Sequence, residues 1–275
     1  MIGFAKYHGC GNNFVIVREA EVSGRDYSRL AQAMCAMATG IGADGLIIVR
    51  EEPALEMVFY NMDGSRAPMC GNGIRCFAAY CYDQGIQRER VYPVQTLAGE
   101  MIVQRLKEDP FTVEISMGKP SFRSEDFGVL DGSETFIDQR LETTEGAFTV
   151  SSCFMGTVHT VVWVDEGDFP SEVAAAQLSN HPVFSEKTNV NFVKKLDSAT
   201  LEIKTYERGV GFTFACGTGA CASQVFGVRE GKTDDQVTVR LPYGQLIITQ
   251  LPDGEIKMAG PAVRVAEGTY MQEED

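Results

Sequence analysis

The sequence lacks the excess of positive charge that nucleic-acid-binding proteins carry. Its 275 residues include 24 Lys and Arg against 38 Asp and Glu, which gives a formal net charge of −14. Affinity for nucleic acid depends on basic side chains that neutralise phosphates. This balance therefore argues against a nucleic-acid partner, and equally against binding to an anionic membrane surface.

Long apolar segments are also missing. No apolar stretch approaches the length of about 20 residues that a membrane-spanning helix needs. The first residues, from Met1 to Lys6, lack the apolar core of a secretory signal peptide. We therefore expect a cytoplasmic protein whose cysteines are reduced.

None of the eight cysteines forms a C-x-x-C pair, so the usual spacings of zinc and thioredoxin-like sites are absent. A thiol-redox or metal-binding protein that uses Cys70, Cys76 and Cys81 is an alternative that stoichiometric zinc would favour. A dinucleotide site is disfavoured, because the glycine motif that follows Cys70 lacks the third glycine of G-x-G-x-x-G. We expect neither a metal nor a cofactor.

What the sequence does contain is an internal duplication. Cys70-Gly71-Asn72-Gly73 recurs 146 residues later as Cys216-Gly217-Thr218-Gly219, and Leu55-Glu56-Met57 recurs at the same offset as Leu201-Glu202-Ile203. Three further matches keep the same order with a slowly drifting offset: residues 12–17 with 159–164, 99–103 with 244–248, and 114–117 with 255–258. Five matches in order predict two similar domains.

Short β-type runs dominate each repeat, and one helical stretch follows each Cys-Gly-x-Gly motif. We predict an α+β fold with two pseudo-symmetric domains, each a bent, largely antiparallel sheet closed around a central helix. The first domain is expected to cover residues 1–118 plus 261–275, and the second to cover 119–260. Residues 120–146 are interpreted as the connection with a surface hairpin, and the tail after Pro261 as a strand added back to the first domain.

A cysteine placed before a glycine-rich helix start combines two chemical properties. The first N–H groups of a helix have no partner within it, and the helix dipole adds partial positive charge there. A carboxylate can bind at that point, and a thiolate is stabilised by it. One such cysteine is more often a small packing residue. Two copies in a duplicated chain can act on opposite faces of one carbon, which predicts a racemase or epimerase that needs no cofactor.

Six motifs extend this prediction over nearly the whole chain. They are His8-Gly9-Cys10-Gly11-Asn12, Ile41-Gly42-Ala43-Asp44-Gly45, Asn61-Met62-Asp63-Gly64-Ser65, Cys70-Gly71-Asn72-Gly73-Ile74-Arg75-Cys76, Tyr206-Glu207-Arg208-Gly209 and Ala215-Cys216-Gly217-Thr218-Gly219-Ala220-Cys221. Together they resemble the diaminopimelate epimerase family. The resemblance implies an isomerase that converts LL-diaminopimelate to the meso form in lysine and cell-wall biosynthesis, with its active site between two similar domains.

The resemblance also implies roles for individual residues. Cys70 and Cys216 are the two catalytic bases, one thiolate and one thiol, and His159 and Glu207 tune their pKa values. The backbone donors to the reacting α-carboxylate are Gly71, Asn72, Gly217 and Thr218. The residues that bind the amino groups and the distal carboxylate are Asn12, Asn61, Asn189, Glu207 and Arg208. The implied partner is a small amino acid, and the oligomeric state is left open, with a homodimer among the alternatives.

Several positions depart from the family pattern and bear on the substrate side chain. Thr157-Val158 precedes His159 where the family usually has Asn-Pro, so the asparagine's contact with substrate is not carried over to Thr157. Phe212 and Phe214 precede Cys216 where polar residues are frequent. These departures keep a second hypothesis open, a racemase of another amino acid such as histidine on the same scaffold.

Overall fold

The computed structural model describes residues 1–165 and 167–271, and the chain divides into two compact units. The first unit combines Met1–Ile115 with the segment that begins at Gly260, and the second is Ser116–Ala259. No helix among the described residues is long and apolar enough to cross a membrane.

The described residues of the first unit form three helices and nine strands, one of which extends beyond the unit. The helices are α1 (Glu19–Val22), α2 (Tyr27–Cys35) and α3 (Gly71–Asp83). The strands are β1 (Ile2–Gly9), β2 (Asn12–Arg18), β3 (Gly45–Arg50), β4 (Glu56–Asn61), β5 (Arg66–Ala67), β6 (Val91–Thr96), β7 (Gly99–Glu108), β8 (Phe111–Gly118) and β18 (Val263–Tyr270). Strand β8 runs past the boundary between the units.

Among its described residues, the second unit contains two helices, a 3₁₀ turn at Ser124–Phe127 and nine strands, the last of which runs past the boundary between the units. Its helices are α4 (Glu172–Ser179) and α5 (Gly217–Arg229). Its strands are β9 (Gln139–Thr143), β10 (Gly146–Phe154), β11 (Val158–Trp163), β12 (Asn189–Asp197), β13 (Thr200–Glu207), β14 (Gly211–Thr213), β15 (Gln236–Leu241), β16 (Gly244–Gln250) and β17 (Ile256–Pro261).

The two units repeat the same pairing scheme. In the first, β2 is parallel to β3, β3 is antiparallel to β4, and β4 is parallel to β6 beyond the crossover through α3. In the second, β11 is parallel to β12, β12 is antiparallel to β13, and β13 is parallel to β15 beyond α5. The remaining hairpins are antiparallel. The predicted α+β class with two similar, largely antiparallel halves is confirmed.

One helix lies at the centre of each sheet, as its apolar pattern predicts. Helix α3 packs against β1, β2, β3, β4 and β18, while α5 packs against β10, β11, β12, β13 and β16. Ten residues are buried in each of these 13-residue helices, so solvent reaches little of either. A helix that is covered on most of its faces has its start held firmly by the surrounding sheet.

Two predictions about the ends of the repeats have different outcomes. The tail does add a strand to the first unit, because β18 pairs antiparallel with β1 from Ile2 to His8. Residues 120–146 do contain one arm of a hairpin, because β9 pairs antiparallel with β10, but the segment is not confined to the surface. Phe127, Phe136 and Leu141 are buried in the core of the second unit, where burying aromatic and aliphatic side chains outweighs the polar composition around them.

Candidate active site

Cys70 lies at the start of α3 in the first unit. It is the N-cap residue with extended backbone angles, φ −137° and ψ 120°. The first backbone hydrogen bond of the helix joins Ile74 N to Cys70 O at 2.9 Å, so the amides of Gly71 and Asn72 lie before it. The Cys70 thiol is partly exposed. Cys70 is therefore accessible at the positive end of a buried helix, beside backbone N–H groups that have no partner within the helix.

Asn12 connects this cysteine to the neighbouring strand. Its Oδ1 accepts from Cys70 Sγ at 3.8 Å and from Asn72 Nδ2 at 3.1 Å. Its own Nδ2 donates to Asp44 Oδ2 at 2.7 Å, and the same oxygen accepts from Asn13 N at 2.7 Å. The Asp44 carboxylate thus fixes the orientation of the Asn12 amide, which leaves Asn12 Oδ1 facing the start of α3.

Asn61 ends β4 within the turn that leads towards Cys70. Its Nδ2 donates to Ser65 Oγ at 3.0 Å, and its backbone N–H donates to Ser65 O at 2.9 Å. These two contacts hold the turn itself, and the contact of Asn61 with substrate stays a prediction.

Arg75 belongs to one of the six motifs, although the motif gives it no role. It is completely buried in α3, one turn after Cys70. Its Nη1 donates to Gly71 O at 3.0 Å and its Nε to Pro261 O at 3.3 Å. Among the described residues no carboxylate forms a salt bridge with it, and Nη2 has no hydrogen-bond partner. A buried cation in this position lowers the energy of a nearby anion. No periodicity in the sequence indicates that Arg75 would be buried here.

Cys216 caps α5 in the second unit in the same way. Its backbone is extended, with φ −120° and ψ 105°, and the first helical hydrogen bond joins Ala220 N to Cys216 O at 3.0 Å. The side chain is buried, with 6% of its surface exposed, and Sγ lies 3.5 Å from Thr218 Oγ1. Both units therefore present a cysteine at a helix start, as the duplicated motif predicts.

His159 lies on β11 and is completely buried. Burial and then the nearby charge of Arg208 lower the pKa of its imidazole to about 3. The ring is therefore neutral at physiological pH. Its Nδ1 lies 3.1 Å from Asn191 Nδ2, and its Nε2 has no hydrogen-bond partner among the described residues.

Arg208 follows β13 and is held by the chain around it. Its backbone N–H donates to Asn189 Oδ1 at 2.9 Å, and its Nη1 donates to Glu186 O at 2.8 Å. Its Nη2 donates to Thr157 Oγ1 at 3.0 Å. Thr157, which stands where the family usually has asparagine, thus supplies a hydrogen-bond acceptor to Arg208, the residue predicted to bind the distal carboxylate.

Glu207 directly precedes Arg208 and accepts from Thr213 Oγ1 at 2.6 Å through Oε1. The hydroxyl restricts the Glu207 carboxylate to one orientation at the end of β13. Asn189 comes much earlier in the sequence than Glu207 and Arg208, and it is brought close to them because β12 and β13 are antiparallel neighbours.

The two phenylalanines that depart from the family pattern lie in different surroundings. Phe212 packs on Tyr206 and Phe192, with ring centroids 5.5 and 6.4 Å away, and Lys204 Nζ lies 3.8 Å from its centroid. It is partly buried and packs against the core of the second unit. Phe214 is 56% exposed and packs edge-on against Tyr243.

The remaining cysteines bear on the redox and metal alternative. Burial raises the pKa of Cys76 and of Cys81, both of which face the core from α3, so neither provides a thiolate at neutral pH. Over residues 1–165 and 167–271, no cluster of His, Cys, Asp and Glu has the geometry to hold a metal ion. The observed surroundings do not favour a site built from Cys70, Cys76 and Cys81.

Both the sequence and the fold are similar to those of known proteins. The family model described as diaminopimelate epimerase matches residues 4–123 and 151–265. A protein named diaminopimelate epimerase from Clostridium perfringens is 39% identical over 98% of this chain and 99% of its own length. A second protein of that name, from Desulfitobacterium hafniense, is 39% identical over 98% of both chains. The fold resembles a phenazine biosynthesis protein of the PhzF family from Bacillus anthracis, with a TM-score of 0.71 at 15% identity over 99% of each chain.

Proposed function

Because this chain belongs to the diaminopimelate epimerase family, we propose that it interconverts LL- and meso-diaminopimelate in the cytoplasm, in the biosynthesis of lysine and of the cell wall. The reaction inverts one α-carbon and leaves the second stereocentre unchanged. The observation that carries the proposal is the matching pair of helix starts, each capped by a cysteine with extended backbone angles.

In the proposed mechanism Cys70 and Cys216 act on opposite faces of the α-carbon. One sulfur is a thiolate and removes the α-proton, while the other is a thiol and delivers its proton to the opposite face. The electron pair left by the C–H bond is shared with the α-carboxylate until the new C–H bond forms. The substrate has one proton exchanged, and the two sulfurs exchange protonation states.

The α-carboxylate is proposed to bind at the two helix starts. Backbone N–H groups at Gly71, Asn72, Gly217 and Thr218 precede or begin the intrahelical hydrogen bonds, so they are oriented towards an incoming anion. Negative charge builds up on that carboxylate as the α-proton leaves. Donors that are already aligned stabilise this charge without reorganisation.

The far end of the substrate is proposed to bind near the end of β13. Arg208 is the bidentate partner for the distal carboxylate, and Glu207 with the amides of Asn12, Asn61 and Asn189 receives the ammonium groups. Support comes from the contacts that hold the guanidinium in place, namely Glu186 O and Thr157 Oγ1. A positioned arginine favours a substrate with a distal carboxylate over a neutral side chain.

The test is deuterium incorporation from D₂O. The purified protein is incubated separately with LL-diaminopimelate, meso-diaminopimelate and a panel of single-centre amino acids that includes histidine. We expect deuterium at one α-carbon of diaminopimelate, together with formation of the other stereoisomer. Exchange with histidine alone would instead support a racemase of that amino acid on the same scaffold.

A further inference from the structure

Three polar side chains are buried beneath the start of α5. His159, Asn191 and Thr205 lie on the adjacent strands β11, β12 and β13, with exposures of 0%, 0% and 3%. Asn191 is directly opposite Thr205 across the antiparallel pair. A Cβ atom on Gly219 would lie 2.2 Å from Asn191 Oδ1 and 3.2 Å from Thr205 Oγ1. The Asn191 amide therefore contacts the first turn of the helix that Cys216 caps.

The positions in the first unit that match Asn191 and Thr205 are apolar. Ile47 is opposite Phe59 there, as Asn191 is opposite Thr205 in the second unit. A Cβ atom on Gly73 would lie 3.4 Å from Ile47 Cδ1 and 3.7 Å from Phe14 Cζ. Burying hydrogen-bonding groups costs free energy unless they are paired, whereas burying these apolar groups is favourable. The polar cluster of the second unit therefore calls for an explanation other than packing.

The hydrogen bonds of Asn191 determine which way its amide faces. Its Nδ2 lies 3.2 Å from Thr160 O, and a carbonyl oxygen can only accept. Thr205 Oγ1 donates to Asn191 Oδ1 at 2.9 Å. The second Nδ2 hydrogen is then directed at His159 Nδ1, 3.1 Å away, which must accept it.

A neutral imidazole that accepts at Nδ1 carries its proton on Nε2. We infer that Asn191 is a positioning residue that locks His159 in the Nε2–H tautomer, so that the buried Nε2–H, which has no hydrogen-bond partner among the described residues, is a fixed neutral donor available to an anionic substrate. This inference rests on the proposed function for its catalytic consequence, although the tautomer itself does not depend on the substrate.

The charges around His159 agree with a permanently neutral ring. Cys153 on β10 lies directly opposite His159, and the charge of Arg208 acts on the ring. Burial raises the pKa of Cys153 to about 12, and the cation Arg208 disfavours a second positive charge on His159. His159 thus neither receives nor releases a proton at neutral pH, and the part that we propose for it in the reaction is that of a hydrogen-bond donor.

The decisive measurement is nitrogen NMR of the protein labelled with ¹⁵N-histidine. The chain has three histidines, so substitution of His8 or His181 assigns the spectrum. For His159 we expect a protonated Nε2, an unprotonated Nδ1 and no change between pH 5 and pH 8. A proton on Nδ1, or titration within that interval, overturns the inference in the wild-type protein, whatever the variants do.

Two variants test the cause. Asn191→Asp replaces the Nδ2 donor by an acceptor and is expected to move a proton to Nδ1. Asn191→Leu keeps the size but removes the donor, and is expected to leave both tautomers populated. If His159 remains entirely in the Nε2–H form in both folded variants, Asn191 does not determine the tautomer.

Kinetics test the consequence. For Asn191→Asp we expect kcat on diaminopimelate to fall at least tenfold while KM changes less than threefold, and the pH–rate profile to gain a titrating group. The matched control is Ser152→Ala, which removes a fully buried hydroxyl from the same sheet. That hydroxyl is bonded to Thr160 Oγ1 at 2.8 Å, so the substitution leaves the His159–Asn191 contact intact. If the control loses as much kcat as Asn191→Asp, the role of Asn191 is structural and the inference is contradicted. No turnover of diaminopimelate by the wild type would refute the proposed function and leave the tautomer result standing.

Discussion

At the scale of single residues, the two cysteines occupy matching positions with different access to solvent. Cys216 is buried and Cys70 is partly exposed, although both cap a 13-residue helix. The first turn of α5 faces Asn191 and Thr205, whereas the first turn of α3 faces Ile47 and Phe14. The hydrogen-bonding neighbour of Cys70 is instead Asn12 on β2, so the duplication supplies two thiols with different surroundings.

Substituting either thiol tests the two-base mechanism. Cys70→Ser and Cys216→Ser should each abolish epimerisation, because a hydroxyl is far less acidic than a thiol, whose unperturbed pKa is ~8.5. The fold should persist, since the change is one atom at a helix cap, and circular dichroism with a thermal melt checks this. Near-normal epimerisation by either folded variant would exclude the mechanism.

Arg208 should discriminate between the two substrate hypotheses. Arg208→Met is expected to cost on the order of 3–5 kcal/mol in kcat/KM on diaminopimelate, the scale for removing one partner of a buried ion pair. The loss should be far smaller on a substrate without a distal carboxylate. Steady-state kinetics with both substrates measure the difference. Thr157→Val, which removes only the acceptor at Nη2, is the matched variant and should lose less.

His159 should make the protein less stable in acid. Its pKa is about 3 in the folded protein and about 6.5 when unfolded, so the unfolded chain binds the extra proton. The stabilisation is complete above pH 6.5 and is lost as the pH falls towards 3, by a few kcal/mol at ~1.4 kcal/mol per pKa unit. Urea unfolding from pH 4 to pH 8 should show a flatter pH dependence for His159→Gln. The control His181→Gln should retain most of the wild-type slope.

At the scale of elements, the glycines of the two central helices are under different constraints. A Cβ atom added at Gly219 would lie so close to Asn191 Oδ1 that the amide would have to move away. A Cβ atom added at Gly73 would lie 3.3 Å from Cys70 Cβ and 3.4 Å from Ile47 Cδ1, which requires a smaller shift. We expect Gly219→Ala to destabilise the protein by about 1–3 kcal/mol, the usual cost of overpacking. Gly73→Ala should cost less, because its nearest contacts require smaller shifts, which the gain in helix propensity of up to ~1 kcal/mol common to both substitutions can offset.

Denaturant unfolding of these two glycine variants measures that difference. A Gly219→Ala protein as stable as Gly73→Ala would show that the Asn191 amide can move without cost. That result would also weaken the inference that Asn191 is fixed.

The elements themselves were predictable to different degrees. Both central helices follow from local signals, namely a glycine-rich start and an apolar pattern along the sequence. The hairpin in segment 120–146 was predicted, but the burial of three of its apolar side chains was not, because the composition of the segment is polar. The packing of Phe212 against the core likewise could not be predicted from its neighbours in sequence, since its contacts Phe192 and Tyr206 come from other strands.

At the scale of the whole molecule, the proposed reaction requires both cysteines to reach one carbon. In the absence of substrate, the same approach would allow oxidation to a disulfide, provided that the Cα atoms come within ~4.4–6.8 Å. We expect mild oxidation to inactivate the enzyme and a reductant to restore it. Peptide mapping of the oxidised protein should find Cys70 linked to Cys216, and inactivation with no such peptide would contradict the prediction.

The sequence by itself determined the duplication, the two capping cysteines and the membership of the family. These features depend on residue identity and on spacing along one segment, because helix starts and turns are governed by local hydrogen bonding and sterics. The tertiary structure alone decided that Arg75 is a buried cation with no carboxylate partner among the described residues, that Thr157 holds Arg208, and that Asn191 faces His159. These surroundings bring together residues from segments that are distant in sequence. Strand register and helix packing decide which of these segments meet, and neither segment determines that by its own sequence.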